Sequence, residues 1–375
     1  MRNILILVLV AVALGLGIFV ARKYLPSLTP PSKDIRQSLP QGADLAYPLT
    51  IPDGKRIGIF ADLKGQAPRV LEFDTNGTLL VSLTSQGKVL ALPDVNNDGQ
   101  ADKIVEVLTG LNRPHGLAFD GNNLYVAETD KVSKYVYDPR DFSADNPQVI
   151  FELPGGGGHF TRTIRITGDK LFVSIGSSCD TCVETNQFRA SLWTANLDGS
   201  DLKPFATGLR NTVFFTFDRA GNIWGTDMGR DFLGDNLPPD EINILEEGEN
   251  YGWPYCYGNQ VRDSKFRPGE FSDFCPTTTP PVWTLDAHVA PLGLAFDRSG
   301  DLYVALHGSW NSTIPVGYKI IKLSVFAGSV TWAENFITGW LSGREVLGRP
   351  VDIIFNEAGK MFISDDKAGL IYVFN

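Results

Sequence analysis

The chain has 375 residues, 43% of them hydrophobic, which is enough apolar material for one big domain or two ordinary ones. Its formal net charge of −10 argues against a nucleic-acid binder, because such a protein needs a surplus of Lys and Arg on at least one face. The 38 glycines, 23 prolines and 23 phenylalanines are typical of many short strands joined by tight turns.

The first predicted element is an apolar stretch, residues 4–20, flanked by Arg2 and by Arg22-Lys23. Its length lies between that of a transmembrane helix and that of a signal peptide's apolar region. Phe19 occupies a position where a signal cleavage site needs a small residue. We therefore expect residues 1–24 to be an uncleaved membrane anchor, with a cleaved signal as the main alternative and a buried core helix as a further one. Either an anchor or a signal makes the body of the protein extracytoplasmic, in the periplasm or at the cell surface.

Residues 25–54 are rich in Pro and Ser and predict a linker that holds the following domain, residues 55–375, away from the membrane.

Six similar segments follow, each an alternating apolar strand, a turn rich in Asp, Asn or Gly, and a second alternating strand. They lie at residues 69–82, 115–127, 163–174, 212–226, 292–305 and 351–364. This is the signature of a β-hairpin, and a period of roughly 45 to 50 residues is typical of propeller blades. The predicted fold is all-β, a six-bladed β-propeller, with an open β-sandwich as the alternative. Residues 227–290 are then an insertion within or between blades.

Histidine and arginine recur at the edges of these hairpins. The chain's histidines are His115, His159, His288 and His307, and the arginines at such edges are Arg113, Arg162, Arg165, Arg210 and Arg349. Equivalent points of successive blades converge around a propeller's central channel, so these side chains are expected to meet there. Arginine gathered at one opening of an acidic protein predicts a site for a small polycarboxylate or phosphate-like anion. A structural role for any one histidine is the plainer alternative.

Two acidic segments are candidate calcium sites. Residues 227–254 contain Asp227, Asp231, Asp235, Asp240, Glu241 and Glu247 among Gly and Pro turns, and oxygen-rich loops of this kind suit a hard cation. In the second segment Asp94, Asn96, Asp98 and Asp102 have the spacing of a Ca²⁺ loop with Gly99 at its turn. Val105 stands where such a loop carries its bidentate Glu, so a plain hairpin turn is an equal alternative. A solvated acidic loop is the alternative for the first.

The four cysteines are Cys179, Cys182, Cys256 and Cys275. In an exported chain an even number favours disulfides, one within each pair. A zinc site is the alternative, although only Cys179 and Cys182 have ligand-like spacing. A thioredoxin-like redox role is less favoured, because no βαβ pattern surrounds this CxxC.

The segments LNRPHGLAF, GGGGHFTRTIRI, GSSCDTC, TGLRNTVFFTFD, DEINILEEGENYGWPY, HGSWN and GRPVDIIF together resemble the pyrroloquinoline-quinone (PQQ)-dependent sugar dehydrogenases. These form the glucose/sorbosone dehydrogenase family of six-bladed propellers. The resemblance extends from about residue 50 to the C-terminus and is strongest to the sorbosone-type branch.

The resemblance implies a quinoprotein sugar dehydrogenase in which PQQ lies over the channel mouth and Ca²⁺ polarises its C5 carbonyl. It assigns to His159 the general base that takes the sugar hydroxyl proton while hydride passes to C5. Arg210 matches the arginine that stabilises charge on the quinone oxygen, and Asn211 its neighbour on the cofactor. The other implied ligands are Gly229 and Arg230 for the cofactor's Ca²⁺, Glu241 and Tyr251 for a structural Ca²⁺, and Arg349 for the cofactor carboxylates.

The chain also departs from the glucose enzymes: Met228 stands where they carry Gln, and Val351 where they carry Arg. The position of their cofactor-binding Lys falls near His307. The predicted anion clamp is therefore reassigned, with Arg113, His307 and His288 as the substitutes. The whole predicted cofactor-binding set is Arg113, His115, Arg162, Asn211, His288, His307 and Arg349.

The expected partners are an aldose, or a related polyol or aldehyde, and an external electron acceptor, with the membrane contacted through the N-terminal segment. A Ca²⁺-dependent lactonase-type propeller hydrolase and a non-enzymatic propeller that binds protein or glycan are the alternatives. A lactonase needs acidic ligands around its central metal and has little use for an anion clamp, so the Arg and His set favours the dehydrogenase.

Overall fold

The computed structural model describes residues 34–35, 49–266 and 273–375. Of a first unit, residues 1–35, it describes only the short strand β1 (Asp34–Ile35), and the remaining description concerns a second unit that ends at Asn375. The predicted anchor and most of the predicted linker lie outside the described residues. Across the described ranges, no helix has both the length and the apolar character that a membrane crossing requires.

Six groups of four antiparallel strands make up the second unit, and each group is one blade. Blade 1 contains β3 (Leu71–Phe73), β4 (Leu79–Leu83), β5 (Lys88–Leu92) and β6 (Ile104–Leu108); blade 2 contains β7 (Gly116–Asp120), β8 (Asn123–Ala127), β9 (Lys131–Asp138) and β10 (Ser143–Glu152); blade 3 contains β11 (Arg162–Thr167), β12 (Lys170–Ile175), β13 (Ser191–Asn196) and β14 (Lys203–Thr207).

Blade 4 contains β15 (Phe215–Phe217), β16 (Ile223–Asp227), β17 (Asp240–Leu245) and β20 (Trp283–Leu285); blade 5 contains β21 (Pro291–Phe296), β22 (Leu302–Leu306), β23 (Lys319–Phe326) and β24 (Ser329–Ile337); blade 6 contains β27 (Pro350–Phe355), β28 (Met361–Asp365), β29 (Leu370–Phe374) and β2 (Ile57–Asp62). Two small hairpins pair β18 (Cys256–Tyr257) with β19 (Val261–Arg262), and β25 (Leu341–Ser342) with β26 (Glu345–Val346).

The six predicted hairpins are the first two strands of each blade. The turns of blades 1, 4, 5 and 6 share one device, shown by Asp74, whose Oδ1 accepts hydrogen bonds from the backbone of Asn76 at 2.9 Å and of Thr78 at 2.8 Å. Gly77 follows with a φ of +80°, a left-handed conformation that glycine adopts without strain. Asp218 makes the equivalent bonds in blade 4. The turns of blades 2 and 3 are two-residue turns instead. The repeated sequence pattern therefore has a direct structural cause.

The blades close into a ring. The inner strands pack side by side, and at Gly116 of β7 an added Cβ would lie 2.6 Å from the backbone nitrogen of Ile164 in β11. The last blade takes its outer strand from the other end of the domain, because β2 pairs antiparallel with β29 and places Ile57 opposite Phe374. The six-bladed propeller is confirmed, and the sandwich alternative is wrong.

Strand direction defines two faces. The loops that join second to third strands, and the connections between blades, lie on what we call the upper face; the hairpin turns lie on the lower face. The predicted insertion lies within blade 4, because its long excursion leaves after β17 and returns at β20. It reaches back to the upper-face region, where the backbone N–H of Gly258 donates to Glu241 Oε1 at 2.6 Å.

Candidate functional site

Two cavities open beside each other on the upper face. The first, of about 190 Å³, is lined by His159, Arg210, Asn211, Met228, Gly229, Asp231, Asp240, His288, Ala290, Trp310 and Asn311. The second, of about 290 Å³, is lined by Ala67, Arg69, Thr84, Ser85, Arg113, Phe160 and Asp366. Consecutive residues, His159 and Phe160, line one cavity each, so the two are neighbours. A larger cavity of about 740 Å³ lies on the lower face, where its wall mixes phenylalanines with charged side chains and contains none of the predicted site residues.

His159 is held as a neutral base. Its Nδ1 lies 2.8 Å from Ser177 Oγ and 3.0 Å from Ser177 O. Because the Ser177 hydroxyl donates to the carbonyl of Cys179 at 2.6 Å, both Ser177 oxygens act as acceptors toward the ring. Nδ1 therefore carries the hydrogen, and Nε2 keeps the lone pair. Burial, reinforced by the nearby Arg210 charge, lowers the pKa of His159 to about 3, so the ring is neutral at physiological pH.

Close backbone packing fixes the position of this ring. Gly176 directly follows β12, and a Cβ there would lie 2.5 Å from Asn211 Oδ1 and 2.7 Å from His159 Cβ. Only glycine lets both side chains occupy their places. Asn211 is further anchored by its backbone N–H, which donates to Asp227 Oδ1 at 2.6 Å.

Arg210 is the cationic group of the first cavity, and its side chain is only 6% exposed. Its Nη2 lies 2.7 Å from Asp180 Oδ1 and 3.5 Å from Asp231 Oδ2, while Nε donates to the Asp180 carbonyl at 2.9 Å. Asp231 in turn accepts a hydrogen bond from Asn311 Nδ2 at 2.7 Å. Loops of blades 3, 4 and 5 are thus tied together around one guanidinium.

A second network of polar side chains, here called the polar chain, links blades 5, 6 and 1. Arg349 Nη1 contacts His307 Nδ1 at 3.3 Å, His307 Nε2 lies 3.0 Å from Asp366 Oδ1, and Asp366 Oδ2 lies 2.8 Å from Arg69 Nη1. Although burial raises the pKa of Asp366, the hydrogen bond and charge of His307, together with Arg69, hold it well below its usual range. Arg349 also donates to the carbonyls of Gly308 and Ser309, both at 3.1 Å. Asp366 and Arg69 line the second cavity, so the polar chain lies beside it.

Three buried carboxyls surround a small enclosed space beside the first cavity. This space, of about 20 Å³, is lined by Asp227, Glu241 and Asp263 among others. Burial raises the pKa of Asp227 to about 6 and of Glu241 to about 8. It also raises the pKa of Asp240, which lines the first cavity, to about 7. A space of this size, lined by two carboxyls, Asp227 and Glu241, whose pKa burial raises, fits a bound cation.

Four of the predicted metal ligands line this space. Glu241, Gly229 and Arg230 line it, and Arg230 Nε lies 2.8 Å from Asp263 Oδ2. Tyr251 lines it as well, but its hydroxyl is engaged elsewhere: it donates to Ile244 O and accepts from the backbone N–H of Glu246. Asp235 and Glu247 of the acidic segment are exposed.

Four other predicted ligands, Asp94, Asn96, Asp98 and Asp102, lie on the lower face between β5 and β6. Their oxygens accept backbone hydrogen bonds of the turn itself, for example Asp94 Oδ2 from Gly99 at 3.0 Å and Asp102 Oδ2 from Val95 at 2.6 Å. This loop is therefore separate from both upper-face cavities.

The structure places five residues of the predicted cofactor-binding set in or next to the two cavities and buries the other two away from both. Asn211 and His288 line the first cavity, Arg113 lines the second and stacks on Phe160, and His307 and Arg349 belong to the polar chain described above. His115 and Arg162 are fully buried and line neither cavity: His115 Nδ1 contacts Thr163 Oγ1 at 3.1 Å, and Arg162 donates to backbone carbonyls such as Pro154 O at 2.9 Å. Arg165 pairs with Glu72 across the ring at 3.3 Å.

Sequence reasoning missed several members of the site. Arg69 begins the first hairpin segment much as Arg113 precedes the second, and Asp366 follows the sixth as His307 follows the fifth. A search of all polar residues at hairpin edges would therefore have found both. Ser177, Asp180 and Trp310 carried no such positional signal. Of the departures from the glucose enzymes, Met228 lines the first cavity, whereas Val351 is buried in β27.

Both predicted disulfides are present, Cys179 with Cys182 and Cys256 with Cys275, and no described cysteine is free. The zinc alternative is not supported, because all four thiols are used in disulfides. The first disulfide closes a four-residue loop immediately beside the first cavity, and the second lies in the blade 4 insertion.

Comparison with known proteins gives a consistent result. A family model described as TrAA12-like matches residues 56–375. An uncharacterized protein of Borreliella burgdorferi is 31% identical over 359 residues, which cover 88% of this chain and 91% of that protein. A pyrroloquinoline quinone-dependent pyranose dehydrogenase of Coprinopsis cinerea is 26% identical over 408 residues, covering 90% of this chain but 56% of that protein. This chain thus spans little more than half of the Coprinopsis relative.

Solved structures show the same fold. The holo form of the pyranose dehydrogenase PQQ domain from Coprinopsis cinerea superposes with a TM-score of 0.79 at 24% identity, covering 90% of this chain and 99% of that one. A calcium structure of the Trichoderma reesei carbohydrate-active enzyme of family AA12 gives a TM-score of 0.78 at 22% identity, covering 89% and 98%.

Proposed function

Since this chain belongs to the TrAA12-like family, we propose that it is a PQQ-dependent oxidoreductase that oxidises an aldose or a related polyol or aldehyde. The observation that carries the proposal is the pairing, in one cavity, of a neutral His159 with a free Nε2 and the Arg210 guanidinium. A base and a fixed positive charge in one cavity are what removal of a hydroxyl hydrogen as proton and of a carbon hydrogen as hydride requires.

The residues present fit an acidic, planar cofactor. Arg210, Asn211 and His288 would hold it at the first cavity, and Arg113, His307 and Arg349 would bind carboxylates toward the second. When bound, PQQ supplies the electrophilic carbonyl carbon that accepts the hydride. The chain's own contribution is orientation and charge, since Arg210 is already fixed by Asp180 and Asp231 and needs no reorganisation.

Calcium fits the enclosed space next to Glu241 and Asp227. Burial raises the pKa of both carboxyls, and a divalent cation would return them to their ionised form. The carbonyls of Gly229 and Arg230 are the proposed ligands of a cation at the cofactor. Both residues line the enclosed space, and Gly229 also lines the first cavity.

The proton is handled by His159. Its Nε2 accepts the hydroxyl proton of the sugar, while Nδ1–H stays bonded to Ser177 and keeps the ring in one orientation. Trp310 forms part of the same wall and offers an apolar surface, 69% exposed, to a pyranose ring.

The lactonase alternative is less well supported. A hydrolase of that type needs free carboxylates on a central metal. Here both oxygens of Asp240 accept backbone N–H groups, from Gly229 at 2.7 Å and Ala290 at 2.9 Å, and Asp231 is occupied by Asn311 and Arg210.

We further propose an extracytoplasmic location with residues 1–24 as a membrane anchor, residues 25–54 as a linker and residues 55–375 as the catalytic domain. Two disulfides support exposure to an oxidising compartment. The electrons would then leave to an external acceptor.

The test is reconstitution of the full chain with PQQ and Ca²⁺, followed by reduction of an artificial dye with a panel of aldoses and, in parallel, hydrolysis of sugar lactones. We expect sugar-dependent dye reduction and no lactone hydrolysis. Cofactor bound by folded protein without any sugar-dependent reduction would refute the proposal.

A further inference from the structure

The loop closed by the Cys179–Cys182 disulfide touches both groups of the proposed chemistry. It begins two residues after Ser177, whose hydroxyl donates to the Cys179 carbonyl at 2.6 Å and whose oxygens receive His159 Nδ1. One residue further, Asp180 contacts Arg210 twice, through its carbonyl at 2.9 Å and its Oδ1 at 2.7 Å. One small covalent ring therefore supports the neighbour of the base and the neighbour of the cation.

Asp180 is also the meeting point of two blades. Its Oδ1 accepts the backbone N–H of Asp231 at 2.8 Å as well as the Arg210 guanidinium. Its side chain is 34% exposed, whereas that of Arg210 is 6% exposed. A partly solvated carboxylate keeps this position only if its backbone is held, and the disulfide restricts the backbone on both sides of it.

The two disulfides differ in access. Cys256 and Cys275 are 3% and 2% exposed, so a reductant cannot reach them in the folded chain. Cys179 and Cys182 are only partly buried, and Val183, directly after the ring, is 58% exposed. Accessible disulfides exchange with external thiols while buried ones resist.

We propose that Asp180 is the positioning residue for Arg210 and that the Cys179–Cys182 disulfide is a redox-sensitive latch on that contact. In the step, an external dithiol attacks the disulfide, the S–S bond breaks, and two S–H groups form on Cys179 and Cys182. The dithiol gives up two electrons and two protons and becomes a disulfide itself. The opened loop lets Asp180 leave Arg210, and the guanidinium loses its fixed orientation.

This inference rests on the proposed function for its effect on turnover, but its geometry can be measured without cofactor or sugar. The full chain is treated with dithiothreitol under native conditions, and thiol alkylation with peptide mass analysis shows which disulfide has opened. Phenylglyoxal, which reacts with accessible guanidinium groups, then reports on Arg210, with Arg349 as the internal reference. We expect reduction of Cys179–Cys182 alone and a rise in Arg210 labelling of about fivefold or more, with Arg349 labelling constant.

Three variants complete the design. Asp180→Asn, and Cys179→Ser combined with Cys182→Ser, should each raise Arg210 labelling, and with PQQ, Ca²⁺ and sugar each should lower kcat by about 10- to 100-fold, more than they change KM. Reduction of the Asp180→Asn protein should add nothing further, since both changes remove one contact. Val183→Ser, outside the ring on the same loop, is the matched control and should behave as wild type.

The outcomes separate the two proposals. Selective reduction that leaves both Arg210 labelling and turnover at their oxidised values overturns the latch, as does reduction that unfolds the domain. Increased Arg210 labelling in a protein that never oxidises sugar supports the latch and refutes the dehydrogenase. Recovery of turnover on reoxidation supports both.

Discussion

His159→Asn tests the protonation state and the role of the proposed base together. Burial, and then the Arg210 charge, lowers the pKa of His159 to about 3 in the folded protein, against an ordinary value of 6.5. As the pH falls below 6.5, His159 takes up a proton in the unfolded chain but not in the folded chain. The free energy of unfolding therefore decreases until the pH approaches 3. Between about pH 7 and about pH 4 this one residue costs about 3 kcal/mol of unfolding free energy. Asn cannot titrate, so the variant lacks that loss.

The assay is urea unfolding of wild type and variant at a series of pH values, with turnover measured on the same samples. Raised carboxyl pKa values, as at Asp240 and Glu241, act in the opposite sense, but they are common to both proteins and cancel in the difference. Turnover at neutral pH should fall by roughly 100-fold or more. His115→Asn is the comparison: burial also lowers the pKa of His115, so it should flatten the stability profile similarly, yet turnover should suffer less because this ring lines neither cavity.

Parallel stability profiles for wild type and His159→Asn would refute the lowered pKa. Turnover retained within about tenfold would place the base elsewhere.

Three further outcomes are expected. Gly176→Ala puts a methyl group 2.5 Å from Asn211 Oδ1, so turnover should fall by about 10-fold or more while the fold survives, as judged by kinetics beside thermal melting; wild-type turnover would contradict the packing argument. Chelation should lower the melting temperature by several degrees, with recovery on added Ca²⁺, and an unchanged melting temperature would argue against a cation beside Glu241. Arg349→Gln removes two charge-assisted bonds to carbonyls and a cofactor contact, so calorimetry should show PQQ binding weakened by about 10-fold or more, and equal affinity would remove Arg349 from the clamp.

The propeller was predictable because four of the six hairpin turns repeat a chemical device and all six hairpins have alternating apolar strands. An Asp or Asn, a Gly three residues later and alternating apolar strands on both sides are visible in the sequence wherever the device occurs, as at Asp74 and Gly77. The course of the blade 4 insertion was not predictable, because it is set by contacts such as Gly258 with Glu241 that join distant parts of the chain.

The expectation that site residues lie at hairpin edges does not distinguish residues that line a cavity from residues packed between blades. His115 and His159 both precede an inner strand, yet His115 stands one residue before β7 and His159 three residues before β11. The nearer position turns the ring into the packed space between blades, and the farther one reaches the cavity. From sequence spacing alone, the effect of this two-residue difference on the direction of the ring could not be predicted. Asp180 was missed for another reason: its partner Arg210 is 30 residues away and comes near only after blade 3 is complete.

The pairing of β2 with β29 has a consequence for synthesis. During synthesis β2 leaves the ribosome long before β29, the strand with which it pairs. It therefore has no partner within its sheet until the last blade is made. Arg349 and Asp366 belong to the blade that is completed last. The second cavity, which Asp366 lines, therefore stays incomplete until the ring of blades closes, whereas every residue that lines the first cavity is synthesised earlier.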